Sequence, residues 1–166
     1  PGHGWVEADS HVAIPVDERS LEALQEDISP YRQLALDAVM PAHVIYPEVD
    51  DKSSGFSNKW HAYLRNDVKF DGVVFSDDLS MEGASVVGDT LARVEAAYSA
   101  GCDMLLVCNR PGKAGEVLAK WKMEPDPVRS ARIARLLPQA PALSWEQLQA
   151  DPDYQAAVAV IQGLNQ

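Results

Sequence analysis

Three short apolar runs rich in β-branched residues recur along the chain: Ala38-Val39-Met40 continuing to Val44-Ile45, then Gly72-Val73-Val74-Phe75, then Met104-Leu105-Leu106-Val107. Continuous apolar runs of this length predict strands buried on both faces. Val39 and Val73 lie 34 residues apart, and Val73 and Leu105 lie 32 apart, an interval that fits a strand followed by a crossover helix. The intervening segments carry helical periodicity. Ser57 is placed to cap a helix whose Trp60, Tyr63 and Leu64 share one face, and Asp89 a second on which Leu91, Val94 and Tyr98 align. Gly101 ends that second helix, and Asn109-Arg110-Pro111 opens another through Val117, Leu118 and Trp121. Near the start, Asp17 precedes Leu21, Leu24 and Ile28 at helical spacing, and Ser29-Pro30 predicts a stop and a fresh turn.

Beyond Met123 the texture changes. Pro125, Pro127, Pro138, Pro141 and Pro152 punctuate two predicted helices, over 128–137 and 144–164, with no strand signal between them. Three parallel strands alone would expose long apolar edges. The pattern therefore predicts an α/β fold, the carboxyl-terminal part of a (β/α)8 TIM barrel holding about strands six to eight. A whole barrel usually needs ~250 residues. A small complete α/β sandwich is the alternative. On the barrel reading, residues 1–123 belong to the barrel, with 1–16 as a loop at its mouth, and 124–166 form a helical extension packed on it. The opening Pro1-Gly2-His3-Gly4 reads as the middle of a loop, so further chain is expected before it.

Composition narrows the chemistry. The 166 residues carry 14 Lys+Arg against 25 Asp+Glu, a net charge of −11, with 46% apolar residues. That apolar share suits a globular domain rather than a disordered one. The negative charge opposes binding to nucleic acid or to an anionic membrane, and no apolar run approaches the ~20 residues a membrane span requires. A small neutral or polar substrate is expected instead. Cys102 and Cys108 form no metal-binding pattern and suit a reduced, cytoplasmic setting.

In a parallel barrel the strands open onto one mouth, where reactive groups sit. The first strand runs out into Pro41-Ala42-His43, the second into Ser76-Asp77-Asp78-Leu79, and the third into Asn109-Arg110. Asp77 or Asp78 there is either a reactive carboxylate or simply a turn cap. In an extended opening loop, Asp9 and His11 would project to the same side. The carboxylate could then bond the ring, fixing its tautomer and readying it to exchange protons near neutrality. His3, Asp9 and His11 offer a metal reading, although their spacing matches no familiar site. The run Arg110-Pro111-Gly112-Lys113-Ala114-Gly115 lacks the Gly-Lys-Ser/Thr ending of a phosphate loop, and neither a G-x-S-x-G elbow nor a G-x-G-x-x-G fingerprint is present. His61 reads as a solvated or half-buried helical residue, and Trp121 and Trp145 as packing residues.

Taken together, Pro1-Gly2-His3-Gly4, Asp9-Ser10-His11, Met40-Pro41-Ala42-His43-Val44 and the run Phe70-Asp71-Gly72-Val73-Val74-Phe75-Ser76-Asp77-Asp78-Leu79-Ser80-Met81 closely resemble the bacterial β-N-acetylglucosaminidases of glycoside hydrolase family 3, in their cytoplasmic, peptidoglycan-recycling branch. The resemblance runs from Pro1 to about Lys122. It implies a retaining exo-glycosidase that removes non-reducing terminal N-acetylglucosamine from anhydromuropeptide-type cell-wall fragments, with no cofactor and no metal. It assigns Asp77 as nucleophile, His11 as general acid/base and Asp9 as the partner that orients His11. Asp78 shapes the turn, and His43 could line the sugar site. In that family a Lys-His-Phe run with sugar-binding residues precedes the Pro-Gly-His-Gly loop. The resemblance therefore implies a missing amino-terminal half as partner, without which the chain is expected to be inactive. A metal-dependent barrel hydrolase using His3, Asp9 and His11, or a non-catalytic α/β binding module, would be the other function classes.

Overall fold

The computed structural model describes residues 2–138 and 140–164. Pro1 of the opening motif lies outside them. Two compact units divide at residues 136 and 137. In the first, β1 (Ala38–Val39) pairs in parallel with a strand at Val73–Val74, with Ala38 opposite Val73 and Val39 opposite Val74. Phe75 then bridges in parallel to Met104. The three parallel segments, at Ala38–Val39, Val73–Val74 and the Met104 bridge, thus lie side by side in their order along the chain, which is the winding of a barrel wall. Val73 and Val74 are completely buried, as their unbroken apolar pattern predicted.

The predicted continuation of the first strand through Val44-Ile45 does not occur. After Pro41 the chain turns away, and β2 (Ile45–Tyr46) pairs antiparallel with β3 (Asp50–Ser53). On its other side Ile45 bridges in parallel to Val16. The Val73–Val74 strand is therefore β4 in chain order. Sequence patterning missed β3 because its Asp-Asp-Lys-Ser carries no apolar alternation. The Asp50 carboxylate is nevertheless drawn inward, accepting from the Ser57 hydroxyl at 2.6 Å and pairing with Lys59 at 3.2 Å.

The first helix, α1 (Gln25–Gln33), starts later than predicted and passes through Pro30 instead of stopping there. Proline leaves the carbonyl four residues earlier without its donor, and the Ser29 hydroxyl fills that vacancy by donating to the Glu26 carbonyl at 2.9 Å. Asp17 caps nothing. It lies buried in a two-pronged ion pair with Arg19, whose guanidinium also reaches Asp27 and stacks 4.5 Å from the Trp5 ring.

The caps on α2 (Asn58–Asn66) and α3 (Thr90–Ala100) are the predicted ones, Ser57 accepting from the Trp60 amide and Asp89 from the Ala92 amide. Gly101 ends α3 at φ +128°, where a side chain would also strike the His61 ring 2.8 Å away. Next come α4 (Pro111–Lys120) and α5 (Pro127–Ala134). On α5, Arg132 reaches the buried Asp103 carboxylate at 3.2 Å, and Arg129 stacks on Tyr98. Asp103 also accepts from Arg65 and from the Val74 amide, both at 2.8 Å. This charged knot ties the helices to the amino ends of the strands.

In the second unit the predicted helix over 144–164 is two helices, α6 (Trp145–Ala150) and α7 (Pro152–Gly163). Pro152 cannot extend α6, and Asp151 caps the new start. Trp145 packs edge-on against Tyr154. No helix among the described residues is long and apolar enough to cross a membrane.

Candidate active site

Asp77 follows β4 after Phe75 and Ser76, where the chain leaves the buried wall. Ser76 fixes the exit: its amide donates to the Met104 carbonyl at 2.7 Å, and its buried hydroxyl accepts from the Leu106 amide at 2.9 Å. Asp77 itself is half-buried, and among the described residues its Oδ1 accepts only from the Asp78 amide, at 2.8 Å. Asp78 has the turn-shaping part. Its carboxylate accepts from the Ser80 amide and hydroxyl and from the Cys108 amide, in the segment beyond Met104, where the predicted strand is reduced to the single bridge with Phe75. One carboxylate is thus consumed by structure, and its neighbour is left with a single local bond.

The opening loop forms the expected pair by a different route. Residues 10–12 are a turn, not extended chain. Asp9 Oδ1 accepts from the His11 amide at 2.9 Å, an Asx-turn, and the same oxygen meets His11 Nδ1 at 2.8 Å. The Val12 and Ala13 amides close on the Asp9 carbonyl. A carboxylate facing Nδ1 makes that nitrogen the donor and turns Nε2 outward. The bonds from the His11 backbone and ring hold the Asp9 carboxyl below the usual carboxylate range. The side chains are 71% (His11) and 62% (Asp9) exposed, so the pair stands at the surface, open to a ligand.

The two segments meet. The Gly83 amide, in the 3-10 turn at Glu82–Val87, donates to the Ser10 carbonyl at 2.9 Å. A side chain at Gly83 would stand 2.9 Å from His43 Cβ and 3.1 Å from that carbonyl, so only glycine permits this approach. His43 is 1% exposed, which removes it from direct sugar contact, and its Nε2 lies 3.1 Å from the Asp78 carbonyl. Sequence reasoning missed Arg93. From α3 it donates to the Leu79 and Met81 carbonyls and to Gly88, bracing the turn that follows Asp77. Nothing in its helical spacing signals that role.

His61, expected to be solvated or half-buried, is instead 5% exposed, packed against Cys102 with Sγ 3.8 Å from Nε2. The metal grouping of His3, Asp9 and His11 is not assembled: among the described residues no three His, Cys, Asp or Glu side chains come together as a metal would require.

A piece of an α/β barrel wall with polar groups gathered where a strand ends defines a barrel-type catalytic domain. Residues 1–136 match the glycosyl hydrolase family 3 N terminal domain. The β-hexosaminidase of Bordetella avium is 57% identical over 95% of this chain and 46% of its own length. The crystal structure of NagZ from Neisseria gonorrhoeae in complex with N-trifluoroacetyl-D-glucosamine superposes with a TM-score of 0.81 at 40% identity, covering 100% of this chain and 49% of that one. A family 3 β-N-acetylglucosaminidase from a Paenibacillus strain gives 0.70 at 28% identity, over 87% of this chain and 32% of that one. The chain belongs to glycosyl hydrolase family 3, and it spans about half the length of the curated relatives it matches.

Proposed function

We propose that this chain supplies the reacting groups of a retaining exo-β-N-acetylglucosaminidase, acting in the cytoplasm with an amino-terminal half that completes the barrel and most of the sugar contacts. The substrate is the non-reducing terminal N-acetylglucosamine of peptidoglycan-derived anhydromuropeptides. What supports the reading is the Asp9–His11 pair on a loop bonded, through Ser10 and Gly83, to the turn that follows Asp77. In the first step a carboxylate oxygen of Asp77 forms a bond to the anomeric carbon as the bond to the leaving oxygen breaks. His11 Nε2 gives its proton to that oxygen. In the second step water attacks the same carbon, its proton returns to His11, and Asp77 is released, so configuration is retained. The carboxylate of Asp9 orients the ring and fixes its tautomer, with Nε2 turned toward the leaving oxygen. The exposure of the pair suits a loop that folds over bound sugar and then excludes water.

The test uses a fusion enzyme in which this chain replaces the segment it matches in the Bordetella avium relative. Incubation with a slow fluorinated N-acetylglucosamine analogue, followed by peptide mass spectrometry, is expected to show one sugar adduct, on Asp77. An adduct elsewhere, or activity abolished by chelator and restored by zinc, would overturn the proposal.

A further inference from the structure

The Asp77 turn is held from behind by a side chain that the reaction scheme leaves unused. His43 leaves the end of β1 and enters the core, where its ring stacks on Phe56 with centroids 5.4 Å apart and planes 22° from parallel. A carbonyl only accepts, so the contact between Nε2 and the Asp78 carbonyl places the proton on Nε2. Nδ1 is then bare, and it is buried without a partner. Protonating it would create a dry cation with no acceptor. Burial accordingly pushes the His43 pKa below its ordinary value, against the opposing pull of Asp77, the Asp78 carbonyl and the Asp78 carboxylate and with the help of Arg93. The ring is therefore held toward its neutral form, with Nε2 as the donor.

Asp78 is the residue through which this donor reaches the reacting carboxylate. Its amide holds Asp77 Oδ1, its carbonyl is held by His43, and its carboxylate is held by Ser80 and Cys108. On its other side, His43 Cβ backs onto Gly83, whose amide bonds Ser10 in the loop that carries His11. We propose, resting on the assignment of Asp77 and His11 above, that His43 is a positioning residue: by holding the carbonyl of Asp78 it steadies the residue whose amide aims the Asp77 carboxylate, and it sets the spacing between that turn and the His11 loop.

The fusion enzyme is compared with His43→Ala and His43→Gln, since the glutamine amide can present a donor near the place of Nε2. The expected result on an aryl N-acetylglucosaminide is a fall in kcat of roughly thirtyfold or more for His43→Ala with KM nearly unchanged, consistent with lost aim of the reacting group. His43→Gln is expected to recover most of it. Hydrogen exchange at the Asp78, Leu79 and Gly83 amides is expected to speed up at least about tenfold in the alanine variant and to return toward the parent rate in the glutamine variant. A rise in KM alone would make His43 a sugar contact and overturn the proposal. Equal losses in both variants, or unchanged exchange at the three amides, would overturn it as well. Failure of the parent fusion to hydrolyse the substrate would count against the glycosidase reading, whereas the exchange comparison needs no substrate and still decides what His43 holds.

Discussion

His61 makes the folded state sensitive to mild acid, by an amount that follows from its surroundings. It sits on the inner face of α2, with its Nδ1 unpartnered, its ring pressed by Gly101 and Cys102 Sγ beside Nε2. Burial, the dominant cause, pushes its pKa down to about 4. Unfolded, the ring returns to about 6.5. The unfolded chain thus takes up a proton that the folded one refuses, and stability falls as pH drops from about 6.5 toward about 4. Between about pH 7 and about pH 5 the loss due to this ring is about 2 kcal/mol, reaching about 3 kcal/mol near pH 4. The perturbation is His61→Gln, which fills the site without titrating. Urea unfolding followed by circular dichroism at both pH values gives the comparison. The parent should lose about 2 kcal/mol more than the variant over that interval, because His43 and the carboxylates are common to both proteins and cancel. Parallel losses would show that the ring is already protonated in the folded state, or solvated, and would refute the reasoning.

Further outcomes follow from the same geometry. Asp103→Ala removes the buried carboxylate shared by two guanidinium groups and the Val74 amide, leaving Arg65 only backbone carbonyls and Arg132 only Asp71 as acceptors among the described residues, and should cost about 3–5 kcal/mol by urea midpoint, with kcat of the folded fusion enzyme unchanged. Gly83→Ala forces a methyl between His43 and the Ser10 carbonyl, and is expected to cost about 1–3 kcal/mol and to depress activity as well. His11→Ala should lower kcat by about 10²–10⁴ on substrates with poor leaving groups, and by much less when the leaving group needs no proton. Asp9→Asn should differ most from the parent at neutral pH. Because the Asp9 carboxyl is held below its usual range, it stays ionised in the parent until pH falls through the lowered value, where the two profiles of kcat/KM should converge.

Most of the wall was legible because burial on both faces writes an unbroken apolar run, as at Val73 and Val74. The winding followed from the even spacing of those runs. The hairpin was not legible: its second strand is held by an inward-turned Asp50, and such pairing leaves no periodic trace. Pro30 misled because its rescue lies in the neighbouring Ser29 hydroxyl, and the buried ion pair of Asp17 stays hidden until Arg19 is seen to fold back. At the site, Asp9 and His11 were legible as a pair, although an Asx-turn, not alternation, joins them. Arg93 and Gly83 were hidden, since their partners are backbone carbonyls, which sequence does not distinguish.

The knot at Asp103 and the carboxylate of Asp77 occupy opposite ends of the same buried wall. Anchorage and reactivity are thereby kept apart. On the proposed assignment of Asp77, substitutions near it that retune sugar preference can accumulate with little penalty in folding, while an equally small change at the far end would lower the amount of usable protein without altering what each surviving molecule does.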